Sequence, residues 1–328
     1  MDAPLKLLWI PKNFREFTQS PERAYSGSNR MRAVNFHDRL VSFPDFSSDV
    51  AGLSVAGNWL MSYDIVVFQK KIVHPLQTAI LKRRYDKLVV FDACDPVGES
   101  FVRWLDRMVD LVICSSHELE DDMHAKGLCT QTEVVVDSHE VDEAFVKQHS
   151  SIERPVVTWY GAPHNYHVFV KPMLETLKSE AFDFRWASSD EPDFLTHYGY
   201  ERGVIWNIPM RDAWREVRSW QYFIQKSDIG INPIGDTIKS AHKTLNYMAY
   251  GIPVVCSPTD AHKRIVKHGV NGFFAESASD WIKYIRILAD PLIRQEFGRS
   301  ARDSVLKEYS LSALSERYGK VLQNRFRG

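Results

Sequence analysis

Short apolar runs recur along the whole chain, and each is followed by a polar or helix-like stretch. They occupy residues 5–10, 64–68, 87–93, 110–115 and 132–136 and, after a polar interval, 155–161, 182–188, 203–208, 228–234, 251–257 and 272–276. Runs without period-two alternation indicate strands that are buried on both faces. Such strands form parallel sheets with helices on either side, so the sequence predicts an α/β protein.

Helix-like segments lie between these runs, for example at 28–40, 116–127 and 169–180. A polar stretch that ends in a proline, at 148–155, marks the boundary between two similar halves. We therefore predict two Rossmann-like, doubly wound domains that face one another across a cleft. Their boundaries are 1–150 and 151–310, and a closing helix follows at 311–328. In such folds ligands bind outside the carboxyl ends of the strands.

The composition excludes several classes of protein. The formal net charge is -1, so no overall basic field points to nucleic acid. The apolar runs are far shorter than the ~20 residues of a membrane helix, and the start MDAPLKLLWIP lacks a secretory signal pattern. The four cysteines, Cys94, Cys114, Cys129 and Cys256, show no CxxC spacing. We interpret them as reduced thiols, not disulfides or metal ligands, and expect a cytoplasmic protein.

The stretch KSAHKTLNYMAYGIPVVCS, residues 239–257, joins a predicted helix to a buried strand. The helix is expected at 240–250, with Gly251 as the residue that ends it. Ser240 or Thr237 is the expected cap at its start. The apolar residues Leu245, Met248 and Ala249 have the spacing of a buried helix face.

The start of this helix follows the run at 228–234, so it should lie at the carboxyl end of a strand. Backbone N–H groups and the helix dipole favour anions at such a place. Lys239 and Lys243, one turn apart, add two positive charges, and together these features predict a diphosphate site. A solvated helix end with ordinary surface lysines is the alternative, and spacing alone does not decide between the two.

The run from 228 to 274 resembles the sugar-nucleotide-binding half of GT-B fold glycosyltransferases, and most of all the retaining family 4 group. The family pattern has an Asp and a Pro in the first strand region, then E-A-M-A-x-G-x-P-V-V, then G-x-N-G. The matching residues are Asp228, Pro233, Met248, Ala249, Gly251, Pro253, Val254, Val255, Gly269, Asn271 and Gly272. The stretch from 278 to the end resembles the closing helices of that family.

The sequence departs from the family at its two glutamates. The second, which the family associates with the nucleotide ribose, is Asn246 here, and an amide can still hydrogen-bond a hydroxyl. The first, associated with the donor sugar, is Ile238. The resemblance leaves its role to Asp236, Thr237 or Lys239, or to no residue. Stereochemistry and activity stay open for this reason.

Two candidate sites lie in the first half of the chain. Gly27 and Ser28 form a small-residue loop after the first strand, where a phosphate or an acceptor can approach the backbone. A plain surface turn is the alternative. Asp92 and Asp95 stand at the carboxyl end of the run at 87–93. One of them could orient an acceptor hydroxyl or act as a base, and Asp95 is our catalytic candidate.

The alternative for Asp95 is a helix cap, with Pro96 at the first helical position. In the second half, Gly161 follows the first strand and corresponds to a glycine of the family. Ser257 and Thr259, in the loop after GIPVV, are further candidates for contact with the donor.

The resemblance implies a glycosyltransferase that needs no cofactor and no metal. A nucleotide-diphosphate sugar is the donor and binds the second domain, while a saccharide, a lipid-linked saccharide or another hydroxyl acceptor binds the first. Polysaccharide or glycoconjugate synthesis is the expected setting. A sugar-nucleotide epimerase is one rival. The other is a catalytically degenerate GT-B module that binds nucleotide or a partner glycosyltransferase.

Basic residues in the first half raise one more expectation about partners. They are Lys70, Lys71, Lys82, Arg83 and Arg84. Such a cluster suits peripheral contact with an anionic membrane at its inner face. A solvated protein surface is the commoner meaning of this pattern.

Overall fold

The structure is a computed structural model of the 328-residue chain. It describes residues 3–12, 28, 30–51, 62–72, 78, 80, 82–83, 86–141, 143–161, 182–188, 204–205, 221, 223–235, 238 and 240–328. The chain divides into two compact units. The first comprises Met1–Ser138, Ile238–Ser240 and Tyr309–Gly328, and the second comprises His139–Thr237 and Ala241–Glu308.

The strands are β1 Leu5–Ile10, β2 Phe46–Val50, β3 Ile65–Gln69, β4 Leu88–Ala93, β5 Leu111–Cys114, β6 Thr132–Val134, β7 Val156–Tyr160, β8 Asp183–Ser188, β9 Val204–Ile205, β10 Ile229–Asn232, β11 Val254–Cys256 and β12 Gly272–Phe274. The helices are α1 Asn35–Leu40, α2 Glu99–Met108, α3 His117–Ala125, α4 His242–Ala249, α5 Asp260–Ile265, α6 Ala278–Ile287, α7 Pro291–Tyr309 and α8 Leu311–Arg327. A π-helical turn, Arg30–Val34, leads directly into α1.

Each unit contains one six-stranded sheet in which all the strand pairs are parallel. The order is β2-β1-β3-β4-β5-β6 in the first unit and β12-β11-β10-β7-β8-β9 in the second. The central strands β3, β4 and β5 are buried along their whole length, as continuous apolar runs predict. The predicted doubly wound α/β class is confirmed in both units.

One strand lies outside the predicted runs. β2, with the sequence FSSDV, is an edge strand in which buried and exposed residues alternate over Phe46 to Asp49. Phe46 and Ser48 are buried, and Ser48 accepts a hydrogen bond from the indole of Trp9. An edge strand needs only one apolar face, so a search for continuous apolar runs does not find it.

The last helix, α8, packs on one face of the first sheet. Leu314, Tyr318 and Leu322 share a buried cluster with residues of β1, β3, β4 and α1. The other face is covered by a second cluster, which includes residues of α2 and α3. Both faces of the sheet are therefore shielded from water, as a parallel sheet requires.

The second unit begins at His139, before the predicted boundary at 150, because residues 139–150 are bound to this unit. Lys147 forms an ion pair with Asp228, and His149 Nε2 lies 2.9 Å from the carbonyl oxygen of Gly251. Among the described helices, none has the length and apolar character of a membrane span.

Candidate functional site

The carboxyl ends of β7, β10 and β11 meet at one edge of the second sheet. β10 pairs with β7 on one side and with β11 on the other, all in parallel. β7 is the first strand of this sheet in the chain. The next strands, β8 and β9, lie on one side of it, and β10, β11 and β12 lie on the other. The point between β7 and β10 is therefore a topological switch point, where doubly wound sheets bind their ligands.

Lys243, in the first turn of α4, reaches this switch point. Its Nζ atom lies 5.4 Å from the ring centroid of Trp159 and 5.7 Å from that of Tyr160. Trp159 and Tyr160 are the last two residues of β7, and Gly161 follows them in the chain. A Cβ atom built on Gly161 would lie 2.5 Å from Lys243 Nζ and 2.7 Å from atoms of the Trp159 ring. The structure thus brings Gly161 and Lys243, predicted from separate segments, into direct contact.

The start of α4 differs from the predicted one. The N-cap residue is Ala241, and no side chain caps the helix there. The prediction that Ser240 is the cap is therefore wrong, and Ser240, which is half-buried, stays a candidate for ligand binding. Thr237 lies outside the described residues. An N-terminus without a side-chain cap suits an anion site, since a capping side chain would compete for its N–H groups.

The end of α4 follows the prediction. Gly251 has φ of +76°, a left-handed conformation that glycine adopts without steric cost. The N–H of Gly251 donates to Met248 and that of Ile252 to Tyr247, which is the Schellman arrangement. The predicted buried face is confirmed, because Leu245, Met248 and Ala249 are all buried.

Asn246 is only 1% exposed and uses its amide for contacts within the protein. Its Oδ1 accepts from the backbone N–H of Glu140 at 2.8 Å, and its Nδ2 donates to the hydroxyl of Tyr160 at 3.0 Å. The contact of Asn246 with a ribose stays a prediction.

A buried histidine ties the ends of β10 and β11 to α4. His262 Nδ1 lies 2.7 Å from the carbonyl oxygen of Ser257 and therefore carries the proton. Its Nε2 then accepts from Asn232 Nδ2 at 3.1 Å and from Thr244 Oγ1 at 3.1 Å. Burial lowers the pKa of His262 to about 4, so the ring is neutral near pH 7. The network holds α4 against the strand that precedes it.

The two hydroxyls after β11 serve local structure. Ser257 Oγ accepts from the backbone N–H of Ile234 at 3.1 Å, and Thr259 caps α5 by accepting from His262. Their predicted contact with a donor stays untested. Asn271, in the GVNGFF motif, accepts from the N–H of Lys267 at 2.6 Å and is 1% exposed. This asparagine shapes the turn before β12.

In the first unit Asp95 lies in the loop after β4. Its carboxylate forms an ion pair with Lys70, a residue at the end of β3 with φ of +65°. The helix α2 begins later, with Gly98 as its N-cap and no side-chain cap. The alternative interpretation of Asp95 as a helix cap is therefore wrong. Asp95 is partly exposed and keeps its place as an acceptor-site candidate.

Asp92, by contrast, is fully buried and has a structural role. Its carboxylate accepts from Arg32 Nε at 2.9 Å, from Arg32 Nη2 at 2.8 Å and from the Tyr318 hydroxyl at 2.9 Å. Burial opposes the charge on Arg32, but the Asp92 carboxylate offsets this and raises the pKa of the guanidinium. The expectation that Asp92 is available to a substrate is wrong, because Asp92, like its partner Arg32, has no exposed surface.

Ser28 is half-buried, and its carbonyl oxygen accepts from Gln69 Nε2 at 3.4 Å. This places the start of the π-helical turn beside the end of β3. Gly27, Asp236, Thr237 and Lys239 lie outside the described residues. Of the basic cluster, Lys82 forms an ion pair with Asp110.

Sequence reasoning missed His262, Asn232 and Thr244. A weak signal exists for Asn232, which is a polar residue at the end of an apolar strand. For the others there is none, since a lone His or Thr in an amphipathic helix is usually a surface residue. Only the packing of α4 on β10 shows that the side chains of Asn232, Thr244 and His262 share one buried network.

Residues 154–290, less than half of the chain, match the profile of the family described as "Glycosyl transferases group 1". Among curated proteins, none is similar enough in sequence to count as a relative. Solved structures are similar in fold over almost the whole chain. HepE from Anabaena, in complex with UDP-glucose, is 12% identical with a TM-score of 0.69, over 98% of this chain and 100% of that one.

Two more structures show the same likeness. Sucrose-phosphate synthase from Thermosynechococcus elongatus is 11% identical with a TM-score of 0.68, over 99% of this chain and 100% of that one. A glycosyltransferase from Rickettsia africae is 10% identical with a TM-score of 0.69, over the full length of both. The chain therefore has the GT-B fold of glycosyltransferases, and the group 1 profile falls on the unit that holds Gly161 and Lys243.

Proposed function

We propose that this protein is a glycosyltransferase that takes a sugar from a nucleotide-diphosphate sugar and transfers it to a hydroxyl acceptor. One observation carries the proposal. The ammonium of Lys243 lies against Gly161 at the switch point of the second sheet, in the segment that matches the group 1 profile. The glycine lets a ligand approach the backbone, and the lysine suits its phosphates.

The chemistry follows from the leaving group. When the bond between sugar and diphosphate breaks, negative charge increases on the phosphate oxygens. A cation and helix N–H groups that are already in place stabilise this charge as it forms, and interactions of this kind lower the barrier. Lys243 and the first turn of α4 would have this role. We extend the proposal to a metal-independent, retaining transfer on the strength of the family resemblance.

The acceptor would be a saccharide, a lipid-linked saccharide or another hydroxyl compound in polysaccharide or glycoconjugate synthesis in the cytoplasm. Asp95, held by Lys70 at the edge of the first sheet, is the residue that would orient the acceptor hydroxyl. The complexes of HepE with UDP and UDP-glucose make uridine nucleotides the first donors to test.

Thermal melting of the purified protein against UDP, GDP, ADP, CMP and dTDP tests the donor site. A nucleotide at 100 times its dissociation constant stabilises the folded state by about 2.7 kcal/mol, which raises the melting temperature by several degrees. A shift with one nucleotide identifies the base. An unchanged melting temperature with all five would contradict the proposed donor site.

The next measurement is the turnover of a sugar donor that carries the identified nucleotide. It distinguishes a transferase from an epimerase and from a catalytically degenerate module. A transferase consumes the donor faster when a suitable acceptor is present and releases the nucleoside diphosphate. An epimerase changes the sugar without any acceptor and releases no nucleotide. A degenerate module binds the nucleotide and leaves the donor intact.

A further inference from the structure

The helix α2 has one face in the core of the first unit and the opposite face in solvent. The buried residues join the cluster on one side of the sheet: Val102, Leu105 and Met108. The exposed residues have the i, i+3, i+4, i+7 spacing of a single helix face: Ser100, Arg103, Trp104 and Arg107. Together with Glu99 they line an open depression of about 450 Å³. We call these five residues the α2 stripe.

Trp104 exposes its indole ring to water, unlike the other tryptophans in the described part of the chain. Its exposed fraction is 54%, whereas no other tryptophan in that part exceeds 6%. An indole gains a large buried apolar area when it finds a partner, so an exposed one favours a ligand with a flat apolar face. Tryptophan and arginine are also enriched among the side chains that dominate binding energy at interfaces. The α2 stripe therefore has the composition of a binding surface.

The charges of the α2 stripe favour an anionic ligand. Arg103 pairs with Glu99 on the exposed surface of the helix. Arg107 is exposed and has neither a hydrogen bond nor an ion pair with any described residue. Asp106, the other acid of this helix, is turned away, because its carboxylate accepts from two backbone N–H groups of the loop before β6. Two guanidinium groups and one carboxylate leave the stripe with one net positive charge.

A saccharide that carries acidic groups fits these features together. The C–H face of a sugar ring is apolar and can pack on the indole of Trp104. Sugar hydroxyls can donate to the carboxylate of Glu99 and exchange hydrogen bonds with the hydroxyl of Ser100. A carboxylate or sulfate on the sugar suits the planar fork of Arg107, which binds such groups through two parallel hydrogen bonds.

An anionic membrane is a poorer fit to the α2 stripe. A helix that lies in a membrane interface buries a broad apolar face there. The apolar residues of α2 are already buried against the sheet, and Trp104 is the one apolar side chain of the stripe. A single net charge contributes only about 1 kcal/mol at an anionic surface. The observations therefore favour a saccharide over a lipid surface.

The stripe begins close to the residue proposed to orient the acceptor. Asp95 lies in the loop before α2, four residues ahead of Glu99. From Glu99 to Arg107 the helix rises by about 12 Å, which is enough for more than one sugar ring. A chain whose end lies at Asp95 can therefore continue along the exposed face of α2.

We propose that the α2 stripe is a binding subsite for an acidic saccharide chain, in which a sugar ring stacks on Trp104 and an acidic group pairs with Arg107. The role of this chain as the acceptor rests on the proposed glycosyltransferase function. Binding of the chain to the stripe does not require a nucleotide and can be measured without one.

The test uses the full-length protein and calorimetry with two acidic probes, oligogalacturonate and a hyaluronan oligosaccharide. The methyl ester of each probe keeps the sugar rings and removes the charge. We expect the wild type to bind at least one acid about tenfold more tightly than its ester, as for a charge-assisted hydrogen bond. Arg107→Gln should lower the affinity for the acid to that for the ester and leave the ester unchanged.

Trp104→Ala should weaken the acid and the ester by the same factor, about tenfold, because both stack on the ring. The matched controls are Arg299→Gln and Leu292→Ala, which change an exposed arginine and an exposed apolar residue on α7. Neither should alter binding. Melting curves without ligand check that each variant is folded, which its exposed position favours.

Sedimentation with phosphatidylglycerol and phosphatidylcholine vesicles tests the membrane alternative. The subsite is overturned if no acid binds more tightly than its ester, or if Trp104→Ala and Arg107→Gln both bind the acid like the wild type. It is also overturned if these variants lose only their binding to phosphatidylglycerol vesicles. Nucleotide melting shifts keep the proposals apart. If saccharide binding fails while a nucleotide still stabilises the protein, the donor site stands without the subsite.

If the acid binds and no nucleotide does, the subsite stands and its role in glycosyl transfer is overturned.

Discussion

The Nζ atom of Lys243 occupies the space that a side chain on Gly161 would fill. A Cβ atom on Gly161 would lie 2.5 Å from this nitrogen and 2.7 Å from two atoms of the Trp159 ring. Contacts this short would force the Lys243 side chain and the buried Trp159 ring to move, so this position favours glycine for steric reasons. This contact links the loop after β7 to the first turn of α4, and it can be tested by substitution of either residue.

Gly161→Ala should displace Lys243 or the buried Trp159 ring. We expect a loss of about 1 to 3 kcal/mol in the free energy of unfolding, the usual cost of overpacking, together with weaker nucleotide binding. Urea denaturation and calorimetry measure the two effects. Gly98→Ala is the control, because no atom lies within 4 Å of a Cβ at that position. Equal effects at Gly161 and Gly98 would show that the close approach has no consequence.

Lys243→Ala should lower the turnover of the nucleotide sugar about a hundredfold, the scale for loss of one group that stabilises developing charge. The steady-state rate with saturating acceptor measures this effect. Lys263→Ala removes a half-exposed lysine on the neighbouring helix α5, where Lys263 pairs with Asp260, and should leave the rate unchanged. Full activity of Lys243→Ala would remove this lysine from the site.

Asp92→Ala should leave the charge of Arg32 buried without its main partner. Loss of one member of a buried pair costs about 3 to 5 kcal/mol, and the same loss is expected in the free energy of unfolding. Tyr318→Phe removes one hydrogen bond and should cost about 1 kcal/mol. Urea denaturation at pH 7 measures both. Lys320→Ala, which breaks an exposed pair with Glu316 on α8, should cost less than either.

His262 should make the protein less stable in acid. Burial lowers its pKa to about 4 in the folded state, against an ordinary value of 6.5. The unfolded chain therefore binds a proton that the folded protein does not, and the stability contributed by the neutral ring is lost as the pH falls from about 6.5 to 4. Over this whole window the loss is about 3 kcal/mol.

Denaturation of the wild type and of His262→Gln at pH 7.5 and pH 5 isolates this contribution. His37, His139 and His149 also have lowered pKa values because of burial, so the wild type loses stability from several groups. The difference between the two proteins belongs to His262, and His262→Gln should lose about 2 kcal/mol less between these pH values. Identical losses would contradict the neutral, buried state of the ring.

Local patterns were enough to predict much of the second unit. The apolar runs at 228–234 and 251–257 contain β10 and β11, and the helix at 240–250 contains α4. Gly251 ends that helix with the positive φ expected of a C-terminal glycine. These features depend on periodicity and on the conformational freedom of glycine, which act over a few residues and can be recognised in a sequence.

The burial and the partners of individual polar residues are harder to predict. Asp92 and Asp95 stand three residues apart after the same apolar run, yet one is buried with Arg32 and the other pairs with Lys70 at the surface. Arg32 is sixty residues away from Asp92 in the chain. No local pattern encodes such a pairing, because it depends on which elements the fold brings together.

The α/β class, the strand runs and the lysine-bearing helix that follows a strand in the second half can all be predicted from the chain's own residues. These follow from burial and periodicity, which each segment expresses alone. Which groups come into contact depends on the fold, as for Lys243 with Gly161, Asn246 with Glu140, and Asp92 with Arg32 and Tyr318. The reason is physical, since a buried charge or amide needs a partner, and that partner comes from whichever distant segment the sheet order places beside it.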